Sequence, residues 1–255
     1  MTNNVKNIQE TVEQLQGPVF SFYLNTPPNS ENWKIKLKNG LKKTQEYVDA
    51  ADAEEGKLFS KVCKTVDKQI KDNQSAFTNS LICFASVDDI HLYYLQVPVD
   101  NDFQWHERPA TNQLEMLLQQ YPLSGVILLQ RDRVALMTTF LGELVHEVHY
   151  ELDLEQEDWK QYKGLAFGNV YASGANHRDK YDRRIKENQA RWYKNIAPAI
   201  EKYARNHHWT KAHLAGPAEL TRDMKSLLNL KVTGETTRNY SGKSAHAILE
   251  KTILC

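Results

Sequence analysis

GVILLQRDRVALMTTFLGELVHEVHYELD, residues 125–153, decides how the second half of this chain folds. Val126 to Leu129 is a continuous apolar run of the kind that is buried on both faces of a sheet. Arg131-Asp132 makes a turn, Val134 to Phe140 a second strand, Leu141-Gly142 another turn, and Glu143 to Leu152 a third strand. In the third strand Leu144, His146, Val148 and Tyr150 alternate with Glu143, Val145, Glu147, His149 and Glu151. Period two sends these sets to opposite faces, so Glu143, Glu147 and Glu151 are expected to face solvent.

C-terminal to these strands, residues 153–176 read as one long connection, with Trp159, Tyr162, Phe167 and Tyr171 and glycines at 164, 168 and 174. A connection of that length within a domain points to function or disorder. It runs through Ala172, Ser173, Gly174, Ala175 and Asn176 into a long helical pattern. Tyr181, Ile185, Trp192, Ile196, Ile200 and Tyr203 share one face of that helix. Lys180, Arg183, Arg184, Arg191 and Lys194 collect on the opposite face with Glu187. Such a face either lies in water, with Glu187 paired to its i±4 arginines, or tracks a phosphate backbone. Pro198 lies within the pattern and is expected to kink it. His213 to Ala215 is a short buried strand, residues 218–228 a helix, Lys231 to Thr233 a strand and residues 244–253 the last helix. Three antiparallel strands followed by alternating helices and strands make an α/β layered unit.

N-terminal to the opening stretch the grammar differs. Residues 4–15 read as a short amphipathic helix, and Gly17-Pro18 breaks it. Val19 to Leu24 is a strand; residues 31–51 and 54–72 are two lysine-rich helices; Ser80 to Ser86 and Ile90 to Val97 are strands about an Asp88-Asp89 turn. Phe103 to Trp105 adds a third strand to that meander, and residues 112–121 form a helix closed by Pro122. The expected organisation is an α+β domain over 1–120 and an α/β domain over 121–255.

Composition excludes several classes. Lys+Arg and Asp+Glu both number 32, so attraction to nucleic acid must come from a local patch. The charge is segregated: residues 141–158 hold seven carboxylates and no Lys or Arg, whereas the helix after Asn176 is basic. No apolar run approaches membrane length, and the N-terminus has no signal-type hydrophobic core. Cys63, Cys83 and Cys255 form no C-x-x-C pair, which fits a reduced cytoplasmic setting without disulfides or zinc. His146 and His149 lack metalloprotease spacing and point to opposite faces of a strand. No G-x-S-x-G, G-x-G-x-x-G or Walker-type loop occurs, so no nucleotide or other cofactor is expected. The acids near Glu143 leave a metal-dependent RNA nuclease as one alternative.

The order of these elements resembles the archaeo-eukaryotic class of peptide-chain release factors and its bacterial branch, which includes the Vms-one-like release factors. The likeness rests on residues 125–153, on the long loop, and on HLAGPAELTRDMKSLL from His213 to Leu228. VFSFYLNTPP from Val19 is similar to the start of the bacterial branch's N-terminal domain. Its most specific part is Gly174-Ala175-Asn176 followed by Lys180, Tyr181 and Arg183, at the offsets where the release factors place a Gly-Gly-Gln tip, a basic residue, an aromatic and an arginine.

The resemblance implies an RNase H-like, release-factor middle-domain-like fold for the second domain and action at the ribosome or large subunit. The expected partners are tRNA and rRNA, and the task is rescue or quality control on peptidyl-tRNA. Gly174, Ala175 and Asn176 would form the catalytic tip, and Arg178, Lys180, Arg183, Arg184, Arg191 and Lys194 would hold RNA. In that family the tip positions a water against the ester and offers a backbone N–H to the oxyanion. Here Ala175 replaces the second glycine, and Asn176 replaces the glutamine, withdrawing the amide by roughly 1.5 Å, one carbon–carbon bond. A non-catalytic binder of ribosomes or tRNA on the same fold is therefore the second alternative.

Overall fold

The computed structural model describes Ile8, residues 10–153, 158–162, 175–240 and 242–254; the side chains of 153, 158, 159, 162 and 175–187 lie outside that description. The chain is a mixed α/β protein with two sheets, and it separates into two compact units, Met1–Gln120 and Tyr121–Cys255.

In the first unit, β1 (Val19–Asn25), β2 (Ser80–Ala85), β3 (Ile90–Leu95) and β4 (Asp102–His106) form an antiparallel sheet in the order β3-β2-β1-β4. The expected meander is therefore wrong in one respect. β4 does not follow β3 but crosses to the far edge of β1, pairing Phe103 with Phe22 and Trp105 with Phe20. The reason lies in packing: Phe103 stacks on Phe22 and Trp105 meets Phe59 edge-on, which joins both aromatics to the core beneath the helices. Helices α1 (Asn32–Ala51) and α2 (Ala53–Asp72) cover one face, placing Trp33, Leu37, Val48, Phe59, Val62, Val66 and Ile70 on Phe20, Phe22, Leu81, Cys83 and Trp105. Asp52 joins the two helices. Its carboxylate accepts from the N–H groups of Glu54 (2.7 Å) and Glu55 (3.2 Å), capping α2. Helix α3 (Asn112–Gln120) is held by Tyr23, whose hydroxyl donates to the Ala110 carbonyl (2.7 Å) and accepts from the Leu114 N–H (3.3 Å). Residues 4–7 and 9 of the helix expected over 4–15 lie outside the described residues; residues 10–13 are helical, and Ile8, Val12 and Leu15 are buried.

In the second unit, β5 (Ser124–Leu129), β6 (Arg133–Phe140), β7 (Glu143–Asp153) and β8 (Asp158–Tyr162) run antiparallel, while β9 (Lys211–Ala215) and β10 (Val232–Thr236) add parallel to β5. The order is β10-β9-β5-β6-β7-β8. Leu141 and Gly142 both have positive φ (48° and 78°), the two-residue turn that matches the twist of a hairpin. Long helix α4 (Ala175–Asn206) and α5 (Ala218–Leu227) cover one face. Tyr193, Ile196, Ala197, Ile200, Leu220 and Met224 pack there on Ile127, Leu129, Leu136, Val148, Tyr150 and Leu214. Helix α6 (Ala245–Thr252), capped by Ser244, packs Ala245, Ile248 and Leu249 on Val126, Leu128, Ala135 and Met137 of the other face. β5 is buried along its whole length, which its unbroken apolar run requires. Strand β8 lies inside what reads in sequence as an unbroken connection. Its residues, Asp-Trp-Lys-Gln-Tyr, carry no clean apolar alternation; pairing with β7 makes it a strand.

Candidate functional site

Helix α4 is described from Ala175 through Pro198 to Asn206. Its buried register, Trp192, Tyr193, Ile196, Ala197, Ile200 and Ala204, passes through the proline, and these side chains are at most 5% exposed. Tyr193 adds a polar tie, its hydroxyl donating to the Gln130 carbonyl in the β5–β6 turn. The helix is thus fixed to the sheet along its C-terminal half. Arg191, Lys194, Lys202 and Arg205 are exposed on the side away from it. Glu201 draws on Arg205 at 3.8 Å and accepts from the backbone N–H of Asn229 at 2.8 Å.

The C-terminus of α4 is built with care. His208 takes the left-handed conformation (φ 52°), its N–H bonds the Arg205 carbonyl (3.1 Å), and the Trp209 N–H returns to the Ala204 carbonyl (3.0 Å). This is a Schellman cap, with histidine where glycine is usual. Its apolar contact is present too, since Trp209 meets Tyr203 edge-on with ring centroids 5.6 Å apart. The indole then lies over Gly125, where an added Cβ would fall 2.0 Å from the ring, and donates to the Thr138 hydroxyl (2.9 Å). A side chain at residue 125 would push Trp209 off the sheet, so the glycine is required.

Strand β7 contributes a bulge. Thr138 faces His146 but Thr139 faces Leu144, leaving Val145 as the extra residue. Leu144, expected on the buried face, is consequently 40% exposed. Beyond the bulge, Val148, Tyr150 and Leu152 are buried as the alternation requires. His146 turns to the α4 side, where its ring stands 4.9 Å from that of His207. His149 instead meets the Glu147 carboxylate at 3.1 Å, with side-chain exposures of only 13% and 12%. The solvent-facing reading of Glu147 is therefore incorrect: it shares a sheltered strand face with a histidine two residues on. Glu151 pairs with Arg133 across the ladder at 2.9 Å. Among the described residues no three His, Cys, Asp or Glu side chains gather as a metal-ion set. Cys63 is half-buried with its thiol pushed up to about 12, first by burial and then by Asp67; burial raises Cys83 as well. Neither is poised as a nucleophile.

Of the residues assigned to the tip, Gly174 lies outside the described residues. Ala175 and Asn176 are the first described residues of α4, and Arg178, Lys180, Arg183 and Arg184 follow within the helix, the side chains of all six outside the description. Arg191 and Lys194 are exposed and point away from the core. Lys202 and Arg205 continue that exposed side past Pro198; sequence periodicity could have found them, since they follow Arg191 and Lys194 at eleven-residue spacing.

The family model for Bacterial archaeo-eukaryotic release factor family 5 matches residues 122–254, all but the edges of the second unit. The chain belongs to that family. YocB, described as an uncharacterized protein of Bacillus subtilis (strain 168), is 29% identical to this family 5 member over 248 residues, covering 94% of both chains. Among solved structures, the archaeal translation termination factor aRF1 aligns with 98% of this chain and 72% of its own, at 12% identity and a TM-score of 0.36. A structure described as an archaeal protein aligns with the same coverage and identity and a TM-score of 0.35. Among the described residues of this family member, no helix is long and apolar enough to cross a membrane.

Proposed function

We propose that this family 5 protein works in the cytoplasm at the ribosome or large subunit, on peptidyl-tRNA, in rescue or quality control of translation. Gly174, Ala175 and Asn176 stand where release factors present Gly-Gly-Gln, on a second unit of release-factor middle-domain, RNase H-like type. The observation that carries the reading is the family match over residues 122–254, within which Gly174-Ala175-Asn176 leads into α4. At the position of the release factors' glutamine, the backbone N–H of Asn176 is the group to face an oxyanion forming at an ester carbonyl. Arg178, Lys180, Arg183, Arg184, Arg191 and Lys194 supply cations along the helix for tRNA and rRNA phosphates.

The substitutions at Ala175 and Asn176 favour a second reading, in which the protein binds without hydrolysing. A misplacement of about 1 Å in an oriented site costs on the order of a hundredfold in rate. Sedimentation with ribosomes across a salt series tests binding. Release of a nascent chain from peptidyl-tRNA tests chemistry. Asn176→Ala should leave sedimentation unchanged and abolish release, and Asn176→Gln should raise release. Release by neither wild type nor Asn176→Gln, with binding intact, establishes the binder. Absence from every ribosomal fraction at low salt sinks both forms, and RNA cleavage sensitive to a chelator would establish the nuclease instead.

A further inference from the structure

Between β7, β8 and the last two turns of α4 lies a groove of about 700 Å³. Its floor is Val148, Tyr150, Ala199 and Tyr203, and its rim carries Gln161, Lys202, Asn206 and His146. The volume is in the range of small-molecule sites. Its aromatic surface is organised: His207 lies 4.1 Å from Tyr203 at 31° and 4.9 Å from His146 at 62°. Trp209, locked on Gly125 and Thr138, holds Tyr203 from behind. Glu147 also lines the groove, its carboxylate 3.1 Å from the His149 ring.

We propose that this groove takes one unstacked RNA base, stacked on the Tyr203–His207–His146 aromatic surface, with its phosphate at Lys202. Three features point to that class. Flat rings with two side-chain amides, Gln161 and Asn206, offer the stacking and edge hydrogen bonds by which proteins read single-stranded bases. Burial, and next His146 and His208, hold the His207 imidazole below its usual value, so at neutral pH it offers one donor and one acceptor. Lys202 stands on the exposed side of α4 that also carries Arg191 and Lys194, so a strand following that helix would bring its bases to the groove. The inference rests on the proposed RNA contact of α4 and adds a pocket to it.

The test titrates the full-length protein with AMP, GMP, CMP and UMP, with ribose 5-phosphate as the base-free control. NMR follows the ring signals of His146 and His207, assigned through His146→Gln and His207→Gln. At least one nucleotide should shift both signals and bind on the order of tenfold more tightly than ribose 5-phosphate. Ala199→Phe, which fills the groove and removes no polar group, should abolish that preference while circular dichroism and the melting temperature report an intact fold. Equal affinity for nucleotides and ribose 5-phosphate overturns the proposal, as does a base preference retained in folded Ala199→Phe. If Ala199→Phe fails to fold, Ala199→Leu, a smaller filling of the same groove, takes its place with the same two outcomes. Sedimentation with ribosomes separates the readings: intact ribosome binding without base preference sinks the groove alone, and loss of ribosome binding sinks the reading beneath it.

Discussion

His208 is the residue at which this chain departs from its own local rules. A β-carbon in the left-handed region costs roughly 1–2 kcal/mol, yet the Schellman cap of α4 holds it there. His208→Gly removes that cost and makes the unfolded chain more flexible, so a net gain of about 1 kcal/mol is expected. Urea unfolding should show a higher midpoint at constant slope; a lower midpoint would mean that the imidazole makes a stabilising contact. His213 poses a different question. It sits half-buried with its ring nitrogen 2.7 Å from the Thr236 hydroxyl, against Gly234. Burial lowers its imidazole, opposed in part by Glu235. Above the unfolded value of about 6.5 neither state holds the proton, and stability is complete. As pH falls below it, the unfolded chain takes up a proton that the folded one resists until its lower value is passed, so stability is lost across that window. His207 titrates in the same sense. The urea midpoint should therefore fall as the pH drops below about 6.5, and fall less steeply in His213→Asn. An unchanged slope in that variant would show that other groups carry the acid sensitivity.

At the scale of elements, α4 combines anchorage and exposure in one helix. Ile196, Ile200 and Ala204 bind it to the sheet, while Arg191 and Lys194 point outward. Replacing Arg191 and Lys194 with alanine should leave the melting temperature nearly unchanged, because neither is buried in the core. If they contact phosphates, the log–log salt dependence of ribosome binding should flatten by roughly one unit for each phosphate no longer neutralised. Binding with an unaltered slope would place the RNA contact elsewhere. This helix was legible in the sequence because its period runs unbroken from Tyr181 to Tyr203. The strand pair β5–β6 was legible for a similar reason: its apolar runs are bounded by turn residues. What the sequence hid depends on partners distant in the chain. β8 has no face of its own until β7 supplies one, and β4 could be assigned to the far edge only by the packing of Phe103 and Trp105. The bulge at Val145 is invisible to a strict period of two, and with it the exposure of Leu144 and the aim of His146. The groove lies beyond local patterns altogether, since His146 and His207 are brought together only by the seating of α4 on β7.

For the molecule as a whole, the question is whether each unit is complete. The second unit has two apolar layers, one beneath α4 and α5 and one beneath α6, made from residues of Tyr121–Cys255 alone. The first has its own, built from β1, β2 and β4 with α1 and α2. A core drawn from one unit is the condition for autonomous folding. A fragment of residues 121–255 should therefore show mixed α/β circular dichroism and one cooperative urea transition. Its slope should be lower than that of the full chain, because less surface is exposed when it unfolds. A fragment with native secondary structure but no cooperative transition would mean that its packing needs the first unit. The same fragment carries α4 entire and spans the residues that match the release-factor family. If the proposed RNA contact lies on α4, the fragment should keep the salt slope of the full chain even where its affinity is lower. Electrostatic contacts set that slope, whereas contacts made by the first unit would add affinity without changing it unless they too neutralise phosphates. A slope that falls toward zero in the folded fragment would move the cationic contact to the lysine-rich helices α1 and α2.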